Sequence, residues 1–143
     1  MNTIPIDIIR EYILPYTYKP QSQELCDDIK SFYTCKIYLR KLYYERWKHS
    51  FYYEPDADIN WLDNDLTRFF NNDCATMLGF TNNCIAKFSR IFGLKNKNRK
   101  TISNYINKHT GCETNALNSI NIQMGILTPE ERQSFISFSH SLN

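Results

Sequence analysis

The side chains that could support covalent or metal chemistry are scattered along this chain. His49, His109 and His140 lie in different segments, and none has a second histidine or a cysteine at the spacing of metal ligands. An acidic run over residues 56–65 has the composition of a calcium loop but lacks the glycine and closing glutamate of an EF-hand. Four glycines leave little material for a phosphate-binding loop. The sequence therefore predicts no metal, no cofactor, no small-molecule substrate and no catalysis.

The cysteines give a similar result. There are five, with no C-x-x-C pair, and no apolar leader precedes them, which is typical of a reduced intracellular compartment. Cys84 and Cys112 lie in a basic stretch that could lower a thiol pKa, but a buried, unreactive cysteine is the commoner case. Apolar runs such as Ile8-Ile9 are far shorter than the roughly 20 residues of a membrane span, so we predict no transmembrane segment.

The strongest charge pattern is a stretch without acidic residues. No Asp or Glu occurs from Cys74 to Cys112, although the stretch contains several Lys and Arg residues and the whole chain has a net charge of only +2. Four cations in it are candidate contacts for an anion or a nucleic acid: Lys95, Lys97, Arg99 and Lys100. An acidic protein surface is an alternative partner. A solvated loop between two helices is the simplest interpretation.

Helix signals dominate the elements that must position these residues. Hydrophobic residues make up 42% of the chain and charged residues 22%, as in ordinary folded proteins. No alternating strand pattern is longer than four residues. We predict an all-α fold, with an N-terminal three-helix module over residues 1–53 packed on a C-terminal module of four to five helices over residues 56–143. Whether the two modules share one core is left open.

Three helices are predicted in the first module. Thr3 is expected to cap the first, with Pro5 in its opening turn. Ser22 is expected to cap the second and Thr34 to begin a third that extends to Phe51. The second helix is predicted to bury a stripe formed by Leu25, Ile29 and Phe32.

The second module has several helix boundaries that can be read from sequence. Asp58 is expected to cap a helix that stops at Asn71-Asn72, and Thr81 to begin one that ends at Gly93 in left-handed geometry. This helix is predicted to bury Ile85, Phe88, Ile91 and Phe92. Residues 128–131, Thr-Pro-Glu-Glu, form a capping box with proline at the first helical position, which predicts a terminal helix.

Aromatic residues are concentrated at the start of the chain. Nine of the ten tyrosines precede residue 54, together with Trp47. Three short helices cannot bury all of these rings around one core, and exposed aromatic side chains with a polar tip are common anchors of protein interfaces. Packing against the second module is the alternative. Both interpretations can hold for different rings.

Two runs in this region carry a family resemblance. Ile4-Pro5-Ile6-Asp7-Ile8-Ile9 and Phe32-Tyr33-Thr34-Cys35-Lys36-Ile37-Tyr38, followed by Trp47, occur in an order that resembles an F-box. Over nearly its whole length the chain is also similar to the F-box-like proteins of large nucleocytoplasmic DNA viruses. Segments with counterparts there are Tyr16-Thr17-Tyr18, Asn60-Trp61-Leu62 and residues 125–132, Gly-Ile-Leu-Thr-Pro-Glu-Glu-Arg.

The resemblance implies a non-enzymatic adaptor. F-box proteins bind a Skp-type adaptor, which links them to a cullin-RING ubiquitin ligase, and recruit a target through the rest of the chain. The positions implied for adaptor contact here are Ile4, Pro5, Ile8, Ile9, Tyr38 and Trp47. The host cytoplasm or a viral factory is the expected location. The alternatives are a structural or assembly protein of a virion, and a nucleic-acid-binding protein that uses the basic stretch over residues 87–108.

Overall fold

The structure is a computed structural model that describes residues 5–13, 21–48, 56–110 and 114–142. Its regular elements are all helical, and no strand occurs in these ranges. The all-α prediction is therefore confirmed. The predicted module boundary, Pro55, lies outside the described residues, as do Thr3 and Phe51.

A short helical segment begins the described chain, with Ile6–Ile8 in α and Ile9–Ile13 in π geometry. We call it the N-terminal segment. The helices that follow are α1 (Gln23–Trp47), α2 (Ala57–Phe70), α3 (Asn82–Phe88), α4 (Arg99–Thr110), α5 (Ala116–Ile126) and α6 (Pro129–Ser141). Single 3-10 turns occur at Thr76–Leu78 and Phe92–Leu94.

One hydrophobic core joins these helices. Helix α2 lies at its centre, in contact with α1, α5, α6 and α3, while α4 packs on α3 and α5. Leu66 of α2, Met124 of α5 and Phe135 of α6 are completely buried. Helix α1 contributes Cys35 and Leu39 to the same core. The C-terminal half of α1 therefore belongs to the main body of the protein.

The predicted break in α1 is wrong. Gln23–Trp47 is one continuous helix, so Thr34 does not start a new one, and the described residues of the first module do not show the predicted three-helix arrangement. Ser22 caps α1 as predicted, because its side chain accepts a hydrogen bond from the Leu25 N–H. No glycine or proline interrupts residues 23–47. Backbone hydrogen bonding therefore continues through Thr34, since a β-branched residue lowers helix propensity only slightly.

Two of the three side chains in the predicted N-terminal stripe are not buried. Leu25 and Ile29 are exposed, and Phe32 is partly buried against the core. The apolar row on which the prediction rested lies in the N-terminal half of α1, which has no buried residue. The buried residues, Cys35, Leu39 and Tyr43, are all in the C-terminal half. Leu25 lies about five full turns before Tyr43, and therefore on the same side of the helix, but it is exposed.

Two boundary predictions in the second module also need correction. Helix α2 is preceded by Asp56, whose backbone is left-handed at φ 66°, and Asp58 lies inside the first turn instead of capping it. Helix α3 ends at Phe88, well before Gly93, which lies in a 3-10 turn. Phe92, predicted to be buried, is 94% exposed as a result.

Several caps are as predicted. Thr81 caps α3 by accepting a hydrogen bond from the Cys84 N–H, and α2 ends at Phe70, followed by Asn71. Thr128 and Glu131 form the reciprocal capping box of α6. These signals depend on contacts within four residues, which is why sequence alone identifies them.

Candidate docking surface

Four apolar side chains on α1 are exposed to solvent. Leu25, Ile29, Tyr33 and Ile37 are 46%, 50%, 65% and 50% exposed. Each is four residues from the next, so they form one row along the helix surface. We call this row the α1 stripe. Scattered exposed apolar residues are normal, but four in one continuous row are typical of an interaction surface.

The N-terminal segment adds further exposed apolar side chains. Ile6 is 63% exposed and Ile8 is 44% exposed, while Ile9 is partly buried. The α and π parts of the segment contact each other, and neither packs extensively against another described helix. Pro5 is exposed, and Ile4 lies outside the described residues. Of the predicted adaptor contacts in this segment, Pro5 and Ile8 are therefore accessible and Ile9 only partly so.

Tyr38 and Trp47 lie on opposite sides of α1. Nine residues separate them, which corresponds to about two and a half helical turns. The Tyr38 hydroxyl is 2.8 Å from His140 Nε2 on α6. The Trp47 ring stacks on Trp61 of α2, with 4.7 Å between centroids and 3° between planes. One partner helix cannot contact both predicted residues on the same face of α1.

Trp47 is mainly a packing residue. It is partly buried against the core, and its indole N–H has no hydrogen-bond partner among the described residues. Tyr38 is 43% exposed and borders a groove of about 250 Å³ between α1 and α6, which Gln133 and Ile136 also line. Of these two predicted contacts, Tyr38 is the more accessible.

Buried polar contacts fix α1 beneath this surface. The Tyr43 hydroxyl donates a 2.6 Å hydrogen bond to Asp65 Oδ2 of α2, and Arg68 lies 3.4 Å from the other carboxylate oxygen. Burial, followed by the bond to Asp65, raises the pKa of Tyr43. Nearer the start of α1, Arg132 of α6 pairs with Asp28 at 2.7 Å. Helix α1 is thus held against α6 near its N-terminal end and against α2 near its C-terminal end.

The basic stretch is divided between occupied and available cations. Arg90 forms a two-pronged ion pair with Glu131, and Arg99 donates to Asn82 and to the Phe80 carbonyl oxygen. Lys87 is buried over the rings of two phenylalanines, and burial lowers its pKa. Three predicted anion contacts are exposed and form no ion pair with a described residue: Lys95, Lys97 and Lys100. Arg99 instead serves to hold the chain before α3 against α4.

Among the described residues, those considered for chemistry are not grouped into a metal site. Burial raises the pKa of the Cys84 thiol to about 11, so this thiol stays protonated, in agreement with the unreactive interpretation. Cys112 and His49 lie outside the described residues. Across the described ranges, no three His, Cys, Asp or Glu side chains are grouped to hold a metal ion. Within the same ranges, no helix has the length and apolarity needed to span a membrane.

Comparison of the chain with known protein families, with curated proteins and with solved structures finds no match. The exposed surface itself is therefore the main indication of function. The sequence did contain a signal for the α1 stripe, because α1 carries apolar residues on two faces. A small protein with one core can bury only one of them, so the other is left for solvent or a partner.

Proposed function

We propose that this chain is a non-enzymatic docking protein that binds another polypeptide through the N-terminal segment and the α1 stripe. The observation that carries the proposal is the row of four exposed apolar side chains on a helix whose C-terminal half is fixed in the core. Fully burying a large apolar side chain contributes about 1.5–3 kcal/mol. Covering the exposed parts of four such residues therefore gives a partner several kcal/mol in favour of binding.

The F-box resemblance suggests a Skp-type adaptor as that partner, with recruitment of a target to a cullin-RING ubiquitin ligase as the biological role. Exposure of Ile8 and Pro5 supports this choice. The continuous α1 departs from the three-helix pattern of the family. Recognition would therefore depend on the N-terminal segment and on one long helix instead of a compact bundle.

Co-purification of the full chain with a Skp-type adaptor tests this proposal. We expect a complex that survives gel filtration at micromolar concentration and is lost in the double variant Pro5→Asp, Ile8→Asp. The N-terminal segment packs extensively on no other described helix, so the variant should keep the unfolding transition of the parent chain. Met77→Asp is the matched control, because Met77 is 90% exposed and lies outside both the N-terminal segment and the α1 stripe. Absence of a complex with the parent chain would exclude the ligase role, and stable incorporation into virions would then favour the assembly role.

Nucleic-acid binding is a second candidate, supported by the turn before α4. Phe92 is 94% exposed there, close in sequence to Lys95, Lys97 and Lys100. An exposed ring among cations can stack on a base while the lysines contact phosphates. Titration with labelled single-stranded and duplex oligonucleotides should show affinity that falls steeply between low and moderate salt and weakens in Phe92→Ala. Affinity that is unchanged by salt and by Phe92→Ala would exclude this role.

A further inference from the structure

The charges that border the α1 stripe are mainly positive. On a helix, the neighbours of a residue are three and four positions away. Lys30 and Lys36 therefore flank Tyr33, and Arg40 and Lys41 flank Ile37. All four are at least partly exposed. A partner that covers the stripe must bring its own polar groups close to these cations.

The carboxylates of the described structure do not neutralise this border. Asp28, which is three residues after Leu25, is paired with the buried Arg132 at 2.7 Å. Lys30 has a long contact of 3.8 Å with Asp27, and both side chains are well exposed. Arg40 and Lys41 form no ion pair with a described residue. The border keeps a net positive charge that an acidic partner would complement.

Lys36 contacts a neutral group. Its Nζ atom donates a 2.6 Å hydrogen bond to the Asn121 side-chain oxygen on α5. This contact positions the ammonium group without cancelling its charge. Lys36 therefore contributes a fixed cation to the border of the stripe.

The charge and shape of the stripe bear on two other occupants. A second copy of the chain in a parallel arrangement would place like charges against each other, which disfavours association. An antiparallel arrangement would bring Glu24 and Asp27 of one copy towards Arg40 and Lys41 of the other, so a dimer of the free chain in analytical ultracentrifugation would overturn a helical partner. An extended peptide would find no backbone partners, because the N–H and C=O groups of α1 are bonded within the helix. A helix, by contrast, presents its own rows of apolar residues at matching intervals.

We propose that the α1 stripe binds an amphipathic helix of the partner, whose apolar row is flanked by Asp and Glu residues. This inference rests on the proposed docking function and specifies the chemistry of the partner. The stripe is about 18 Å long. Its contact area is that of one helix face, well below the roughly 800 Å² per partner of a stable complex, so it forms a weak, salt-sensitive contact when it acts alone.

A displayed peptide library tests the chemistry. The library carries helices of about 20 residues, with Leu or Ile fixed in one row and Glu, Lys, Ser or Ala allowed at the flanking positions, and it is panned on the full chain. We expect the enriched peptides to be rich in Glu at the flanks and to bind about tenfold more weakly to the double variant Arg40→Glu, Lys41→Glu. Ile29→Asp with Ile37→Asp should abolish binding. Met77→Asp, which lies outside the stripe at a 90% exposed position, is the matched control and should leave binding unchanged.

Peptides with basic or neutral flanks, no enrichment, or affinity unchanged by charge reversal would overturn the inference. Vesicles of phosphatidylcholine with about one-third phosphatidylserine provide the membrane test. If the chain binds these vesicles in a charge-dependent way and acidic peptides are not enriched, the stripe binds a lipid surface. That result would exclude a helical protein partner. The Skp-type complex is measured on the same variants. If the complex is lost on substitution of Ile8 but keeps its affinity when the charges of Arg40 and Lys41 are reversed, the proposed function stands and the acidic helical partner is excluded.

Discussion

Tyr43→Phe tests whether the buried contact beneath the docking surface stabilises the fold. Tyr43 is 1% exposed and Asp65 is 5% exposed, and 2.6 Å separates the hydroxyl from the carboxylate. A hydrogen bond to a charged group contributes about 1.5–3 kcal/mol. The ring is retained, so no large cavity forms, and Asp65 keeps its contact with Arg68. We expect the free energy of unfolding to fall by about 2 kcal/mol.

Urea denaturation followed by circular dichroism measures this loss, with an unchanged dependence on urea concentration as the sign of an intact fold. Tyr33→Phe is the matched control, because Tyr33 is 65% exposed and should change stability by less than about 0.5 kcal/mol. In combination with Asp65→Asn, the two substitutions should not be additive, since both remove one contact. Additive losses would show that the hydroxyl and carboxylate do not interact.

The same contact predicts a dependence on alkaline pH. Burial and the bond to Asp65 raise the pKa of Tyr43, so the folded chain keeps this proton where the unfolded chain begins to lose it, near pH 10. Above that pH the unfolded state binds fewer protons than the folded state. Ionisation of Tyr43 in the unfolded state therefore lowers the free energy of unfolding by about 1.4 kcal/mol per pH unit. The stability gap between the parent and Tyr43→Phe should therefore narrow above pH 10. A gap that stays constant, or a loss below about 0.5 kcal/mol at neutral pH, would refute the reasoning.

Three further changes have defined outcomes. Arg132→Met removes the ion pair with Asp28, whose side chain is 42% exposed and stays hydrated, so urea denaturation should show a loss of about 2 kcal/mol. Thr128→Ala removes the cap of α6 and should cost about 1 kcal/mol, seen as a lower Tm. The hydrogen bond from Arg90 lowers the pKa of Glu131. The contribution of Glu131 to stability is therefore present above the carboxyl pKa of the unfolded chain and is lost as pH falls. Glu131→Gln should show a stability that falls less steeply with acid than that of the parent chain.

Local chemistry explains which elements could be predicted from sequence. Ser22, Thr81 and Thr128 each cap a helix through a side-chain oxygen and an N–H three residues away, and all three predictions are confirmed. The end of α3 was not predictable in this way. Ile91 and Phe92 continue the apolar spacing after Phe88, yet the helix ends at Phe88 and Phe92 is exposed. Arg90 in this turn pairs with Glu131, a contact distant in sequence that local propensity does not reveal.

The exposed apolar surface of α1 was predicted only in part. The concentration of rings before residue 54 indicated an exposed apolar surface, and Tyr33 and Tyr44 are indeed exposed. Tyr43, however, is completely buried, and Trp47 packs on Trp61. Periodicity cannot distinguish these cases, because two apolar faces of one helix have the same spacing. What separates them is contact with α2 and α6, which are distant in sequence.

The attachment of α1 bears on how well its stripe can bind. Cys35, Leu39 and Tyr43 anchor the C-terminal half of α1 in the core, whereas its N-terminal half lacks buried apolar residues. There, Arg132 performs the anchoring, since it pairs with Asp28 and lies over the Phe32 ring at 5.6 Å. A helix held at both ends loses little conformational entropy when a partner covers it, so more of the gain from apolar burial remains as affinity. The buried arginine thus links the stability of the fold to the presentation of the α1 stripe.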